Sequence, residues 1–85
     1  IARRKGENVT YNYTIIYETE DEGGYHVFCP TLPGCHSYGE SIEEAKKNIK
    51  EAIEAYIESL AKDGKNIPEE KDLLIGEMKL ELAPA

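Results

Sequence analysis

The apolar residues of this chain change their spacing near residue 40, from every second position to every third or fourth. That switch limits the fold to sheet first and helix second. From Val9 to Glu18 one face carries Val9, Tyr11, Tyr13, Ile15 and Tyr17, and the other Thr10, Asn12, Thr14, Ile16 and Glu18. Such alternation, rich in aromatic and β-branched residues, predicts a half-buried strand. The acidic link Thr19-Glu20-Asp21-Glu22-Gly23-Gly24 ends in two glycines able to take positive φ, as a hairpin loop requires. Tyr25 to Cys29 is therefore expected to return antiparallel. Pro30 cannot donate to a ladder, and Pro33-Gly34 forces a turn before a short third strand around Cys35 to Tyr38.

Ser41-Ile42-Glu43-Glu44 fits a capping box, in which the Ser41 hydroxyl accepts from the backbone three residues on and Glu44 reaches back to Ser41. In the helix that follows, Ile42, Ala45, Ile49, Ala52, Ile53, Tyr56, Ile57 and Leu60 keep the three and four spacing, and Glu43 and Lys47 form an ion pair on the outer face. Asp63-Gly64 stops it, Gly64 supplying the left-handed position after the last turn. Lys65 to Asp72 is a polar connector containing Pro68. Met78, Leu80 and Leu82 then alternate with Glu77, Lys79 and Glu81, which predicts a last strand over residues 74–82.

The order is β-β-β-α-β, with a right-handed crossover laying the helix across one sheet face: a two-layer α+β domain. It is expected to span residues 9–82, between short tails at 1–8 and 83–85. One helix cannot cover both sheet faces, so self-association or a partner is expected on the uncovered face or an open sheet edge.

At 85 residues the chain has length for one domain with one small core. Seventeen Asp and Glu against ten Lys and Arg give a formal net charge of -7. A surface of that sign repels phosphate, so direct nucleic-acid binding is not expected. Arg3, Arg4 and Lys5 form the one positive cluster and read as a solvated tail. Two cysteines, with no signal-peptide pattern and no long apolar run, point to a reducing, cytoplasmic setting away from membranes.

His26, Cys29, Cys35 and His36 have metal-ligand chemistry, but residues three apart in a strand point to opposite faces, as do neighbours. The thiols are expected inside and the histidines outside, with no metal and no cofactor. A Cys29 to Cys35 disulfide suits only an oxidising compartment, and a cysteine nucleophile needs a base that strand pairing must bring across. Glu18, Glu20, Asp21 and Glu22 cluster in one loop, whereas acid/base catalysis needs groups converging from separate elements. Such a loop reads as a solvated hairpin, or as a surface that steers a basic partner. The Tyr11, Tyr13 and Tyr17 stripe reads as core or oligomer interface.

Gly23-Gly24-Tyr25, then Pro30-Thr31-Leu32-Pro33-Gly34-Cys35, Gly39, Ser41-Ile42-Glu43-Glu44-Ala45 and the exit at Ile67-Pro68 together resemble the signature of the HicB-like antitoxin family. The resemblance runs from residue 13 to about residue 82. It implies a partial RNase H-like domain without catalytic activity that binds and neutralises a small basic HicA-type mRNA-cleaving toxin of double-stranded-RNA-binding fold. The uncovered sheet face gives the expectation of a homo-oligomer, dimer or tetramer. Family members usually continue into a DNA-binding module; none is read within residues 1–85. The RNase H-like shape does not bring nuclease chemistry with it, since strand one offers only Glu18 as a metal-holding carboxylate. The candidate partner contacts are Glu18, Glu20, Asp21, Glu22 and Tyr25. Gly23, Gly24, Pro30, Pro33, Gly34, Ser41, Glu44 and Gly64 set the backbone shape. The alternative is a stand-alone oligomeric HicB-like domain without a toxin, binding another protein or a small ligand.

Overall fold

A computed structural model describes residues 9–71 and 73–84. The basic stretch Arg3, Arg4 and Lys5, within the expected tail 1–8, lies outside the described residues. The elements are β1 (Ile16–Thr19), β2 (Tyr25–Phe28), β3 (His36–Gly39) and α1 (Ile42–Lys62). The strands form one antiparallel sheet in the order β1-β2-β3. Cross-strand register aligns Tyr17, Val27 and Ser37 on one face, and Ile16, Phe28 and His36 on the other, beside the row Glu18, His26 and Tyr38. The first face meets α1. Val27, Cys29, Leu32, Cys35, Ala45 and Ile49 are buried there, with Tyr13, Ile15, Tyr17, Tyr25, Ala52, Ile53 and Tyr56 packed around them.

Two consecutive turns build the corner between β2 and β3. Leu32 N donates to Cys29 O at 3.1 Å and Cys35 N to Leu32 O at 3.0 Å, while Cys29 N donates to Cys35 O at 3.0 Å and closes the loop as one more rung. Pro30 and Pro33 each occupy the second position of a turn, where their fixed φ is already correct. Gly34 follows Pro33 with φ +79°, as a type II turn demands. Leu32, between the turns, is driven into the core and fully buried. At the other end of β3, a Cβ on Gly39 would lie 2.2 Å from the Ala45 backbone nitrogen, so only glycine lets the helix sit this near the sheet.

The helix is closed at both ends. Ser41 Oγ accepts from Glu44 N at 3.1 Å. The Glu44 carboxylate takes Glu40 N at 2.9 Å, one residue before the Ser41 amide that a capping box would use. At the far end Gly64, φ +66°, donates to Ala61 O and Lys65 donates to Leu60 O, a Schellman motif. Glu43 and Lys47 do not pair; among the described residues the helical ion pair is Lys62 with Glu58, at 3.6 Å and exposed.

Two of the expected strands also change. The first strand is regular only over Ile16–Thr19, not from Val9. Its partner sets the length: Ile16 faces Phe28, and beyond Cys29 the chain turns away at Pro30, leaving residues 9–15 nothing to pair with on that side. The second change is at the C-terminal end, where residues 73–84 form no strand and are exposed throughout, so the crossover has no closing strand. The connector before them is held beside the first segment instead. Tyr13 Oη donates to Pro68 O at 2.6 Å, Thr14 N and Oγ1 donate to the Glu70 carboxylate at 2.6 and 2.7 Å, and Thr31 Oγ1 donates to it at 3.1 Å.

Leu32→Ala should lower the stability of the fold by about 3 kcal/mol, the usual cost of emptying a buried leucine site, measured as a shift in urea midpoint. The Thr14 and Thr31 hydrogen bonds hold the Glu70 carboxyl below its ordinary range, the Thr14 amide being the largest cause. Its stabilisation is complete above the unfolded carboxyl's pKa and is lost as the pH falls through the lowered value. Urea titrations below about pH 5 should therefore show wild type losing stability more steeply than Glu70→Gln, the two converging in acid.

Candidate functional site

The β1–β2 loop is pinned by Gly23 N donating to Glu20 O at 3.0 Å and Glu20 N donating to Gly24 O at 3.1 Å. Gly23 and Gly24 both hold positive φ, at 100° and 81°. Gly24 has a second reason to lack a side chain, since its Cβ would fall 2.0 Å from Tyr38 Oη. Tyr38 lies over the loop and donates to Gly23 O at 2.9 Å, with Glu40 Oε1 at 3.4 Å. Glu20, Asp21, Glu22, Gly23, Tyr38 and Glu40 thereby enclose a concavity of ≈ 640 Å³. No basic side chain lines it. Partial burial of the phenol, then the carboxylates of Glu40, Glu20 and Glu44, raise the Tyr38 pKa above its usual value. The hollow is therefore a concentrated negative surface, suited to a cationic partner.

The expected contacts separate into three places. Glu20, Asp21 and Glu22 are exposed and form the hollow. Glu18 stands on the uncovered sheet face, its Oε1 2.8 Å from His26 Nδ1. Tyr25 packs against the core on the helix side and does not belong to the acidic surface. Glu40 and Tyr38 were not anticipated. The signal lay in strand pairing: Tyr25 faces Gly39, which brings the β3 exit alongside the acidic loop.

On the uncovered face His26 stacks on Phe28, centroids 5.6 Å apart, and meets His36 edge-on at 5.3 Å. Both thiols are free and buried. Burial, with a smaller contribution from Cys29, raises the Cys35 pKa, the reverse of what a nucleophile needs. The imidazoles lie on the uncovered face and the thiols in the core, and all four residues line one concavity at the proline corner. Among the described residues no three His, Cys, Asp or Glu side chains converge to hold a metal ion.

A family profile described as the HicB-like antitoxin of a bacterial toxin-antitoxin system matches residues 13–81. The chain belongs to the HicB-like antitoxin family. It is 57% identical over 65 residues to a UPF0150 protein of Synechocystis, covering 76% of this chain and 81% of that one. Its identity to a UPF0150 protein of Thermoplasma acidophilum is 52% over 56 residues, covering 66% and 81% respectively. Among solved structures it is similar to the N-terminal domain of the Burkholderia pseudomallei antitoxin HicB, at a TM-score of 0.62 and 36% identity over 69% of each chain. The α+β architecture of a three-stranded sheet under one long helix is shared with that domain. Among the described residues no helix of this HicB-like chain is long and apolar enough to cross a membrane.

The contact between Tyr38 and Gly24 is testable as a pair. Gly24→Ala should cost about 2 kcal/mol, from positive φ and from displacing the ring. In a Tyr38→Ala background the same change should cost measurably less, because only the backbone strain remains. Denaturation midpoints of the four proteins give the coupling.

Proposed function

We propose that this HicB-like chain neutralises a small basic mRNA-cleaving toxin of the HicA type in the cytoplasm, by binding it and without catalysing a reaction. The observation that carries the reading is the hollow of Glu20, Asp21, Glu22 and Glu40 on a chain of net charge -7. A protein that cleaves RNA must present cations to phosphate, and a carboxylate surface competes for those same cations. The family supports a toxin as partner. The solvent-facing position of the carboxylates suits rapid, salt-sensitive capture more than permanent burial.

The test is binding of this chain to the small basic protein encoded beside it, by calorimetry, together with rescue of growth on co-expression. Glu20→Lys with Glu40→Lys should weaken binding at least tenfold and flatten its salt dependence. Reversal of Glu51 and Glu58, exposed on the helix, should change it far less. Equal affinity of the two double variants would remove the acidic hollow from the interface. An intact oligomer that binds no such neighbour would favour a domain working without a toxin.

A further inference from the structure

The chain has two histidines, and the β2–β3 ladder brings both to the face that the helix leaves uncovered. His26 faces Tyr38 and His36 faces Phe28, so the two imidazoles are diagonal neighbours on one side of the sheet. Weighed as a set of four with Cys29 and Cys35, whose side chains lie in the core, the histidines exclude a metal centre. Taken by themselves across the ladder they do not. Their ring centroids are 5.3 Å apart and their planes are inclined at 62°. Two imidazoles sharing one tetrahedral dication hold it at about 2.0–2.1 Å each, which sets their centroids about 5 Å apart. The separation across β2 and β3 is that of a chelate.

The surroundings of His26 point the same way. Glu18 Oε1 lies 2.8 Å from His26 Nδ1. A carboxylate there accepts the Nδ1 proton and leaves the Nε2 lone pair for a metal, the arrangement that orients most histidine ligands. Stacking on Phe28, with centroids 5.6 Å and planes 21° apart, steadies the same ring. His36, exposed at the start of β3, has room to turn its ring to the same ion. The backbone beneath both rings is fixed by the Cys29–Cys35 rung and the two turns of the proline corner, so little order remains to be lost on binding.

The concavity beside the pair has a volume of ≈ 550 Å³, is walled by Pro30, Pro33 and Gly34, and has no Lys or Arg in its lining. On a chain of net charge -7 nothing there repels a dication, and there is room for the waters that complete its coordination. We propose that His26 and His36 form a binding site for a borderline transition-metal dication such as Zn²⁺, with Glu18 as the positioning carboxylate behind His26. Imidazole suits Zn²⁺, whereas Mg²⁺ prefers oxygen ligands and is not accepted by this pair.

The test is titration of the full chain with ZnCl₂, read by calorimetry and by the imidazole nitrogen resonances in NMR. With two histidines in the chain, every such resonance belongs to the site. One ion per chain should move both imidazoles together, His26 being ligated through Nε2 while it keeps its Nδ1 proton. His26→Gln and His36→Gln should each weaken Zn²⁺ binding at least tenfold and keep the helix signal in circular dichroism. Glu18→Gln, which removes no ligand, should weaken it about tenfold and loosen the Nδ1 proton signal of His26. MgCl₂ should leave both imidazoles unmoved. No response of either imidazole, a response of one alone, or wild-type affinity in either histidine variant would each overturn the proposal. Equal binding of Mg²⁺ would also overturn it, assigning the ion to the carboxylates at large. The site shares no lining residue with the acidic hollow, so its failure leaves the reading of toxin capture untouched.

Discussion

How near α1 lies to the sheet decides much of the rest of this structure. At Gly39 the backbone of β3 comes so near Ala45 that a single methyl group would strike the helix backbone. That approach lets so short a sheet bury Val27 and Ile49 against each other. Full burial of such side chains is worth about 1.5–3 kcal/mol each, a large share of what a domain of this size can assemble. The helix must also begin almost at once after the strand, so Ser41 caps it two residues beyond Gly39. Glu40 is trapped in between. Its position beside Tyr38 and the β1–β2 loop, and with it the acidic hollow, follows from the same close approach.

Much of the fold was legible because local chemistry and global packing agree. Gly23-Gly24, Pro33-Gly34, Ser41 and Gly64 each hold the turn or cap their residue types suggest. Period two put Val27, Cys29 and Cys35 inside and His26 and His36 outside. What misled was alternation without a partner. Residues 9–15 and 73–84 both have strand chemistry, yet a ladder needs a second backbone, and pattern alone does not say whose. The Glu44 carboxylate shows the same limit at finer scale, since its choice of the Glu40 amide over that of Ser41 depends on backbone direction at the end of β3.

The candidate site was legible in part. A run of carboxylates is visible in any sequence, but the contribution of Tyr38 and Glu40 depends on which residue faces which across two strands. Tyr25 illustrates the converse. Next to the acidic loop in sequence, it turns toward the helix because strand neighbours of a loop alternate faces like any others. The thiols lie inside and the carboxylates fan around a tyrosine outside, and it is on this acidic surface that the proposed toxin contact rests.

Residues 73–84 hold most of the large apolar side chains left uncovered among the described residues. An uncovered, leucine-rich run without regular structure is what proteases engage first. Whatever covers that surface therefore also sets how readily the chain is cut there.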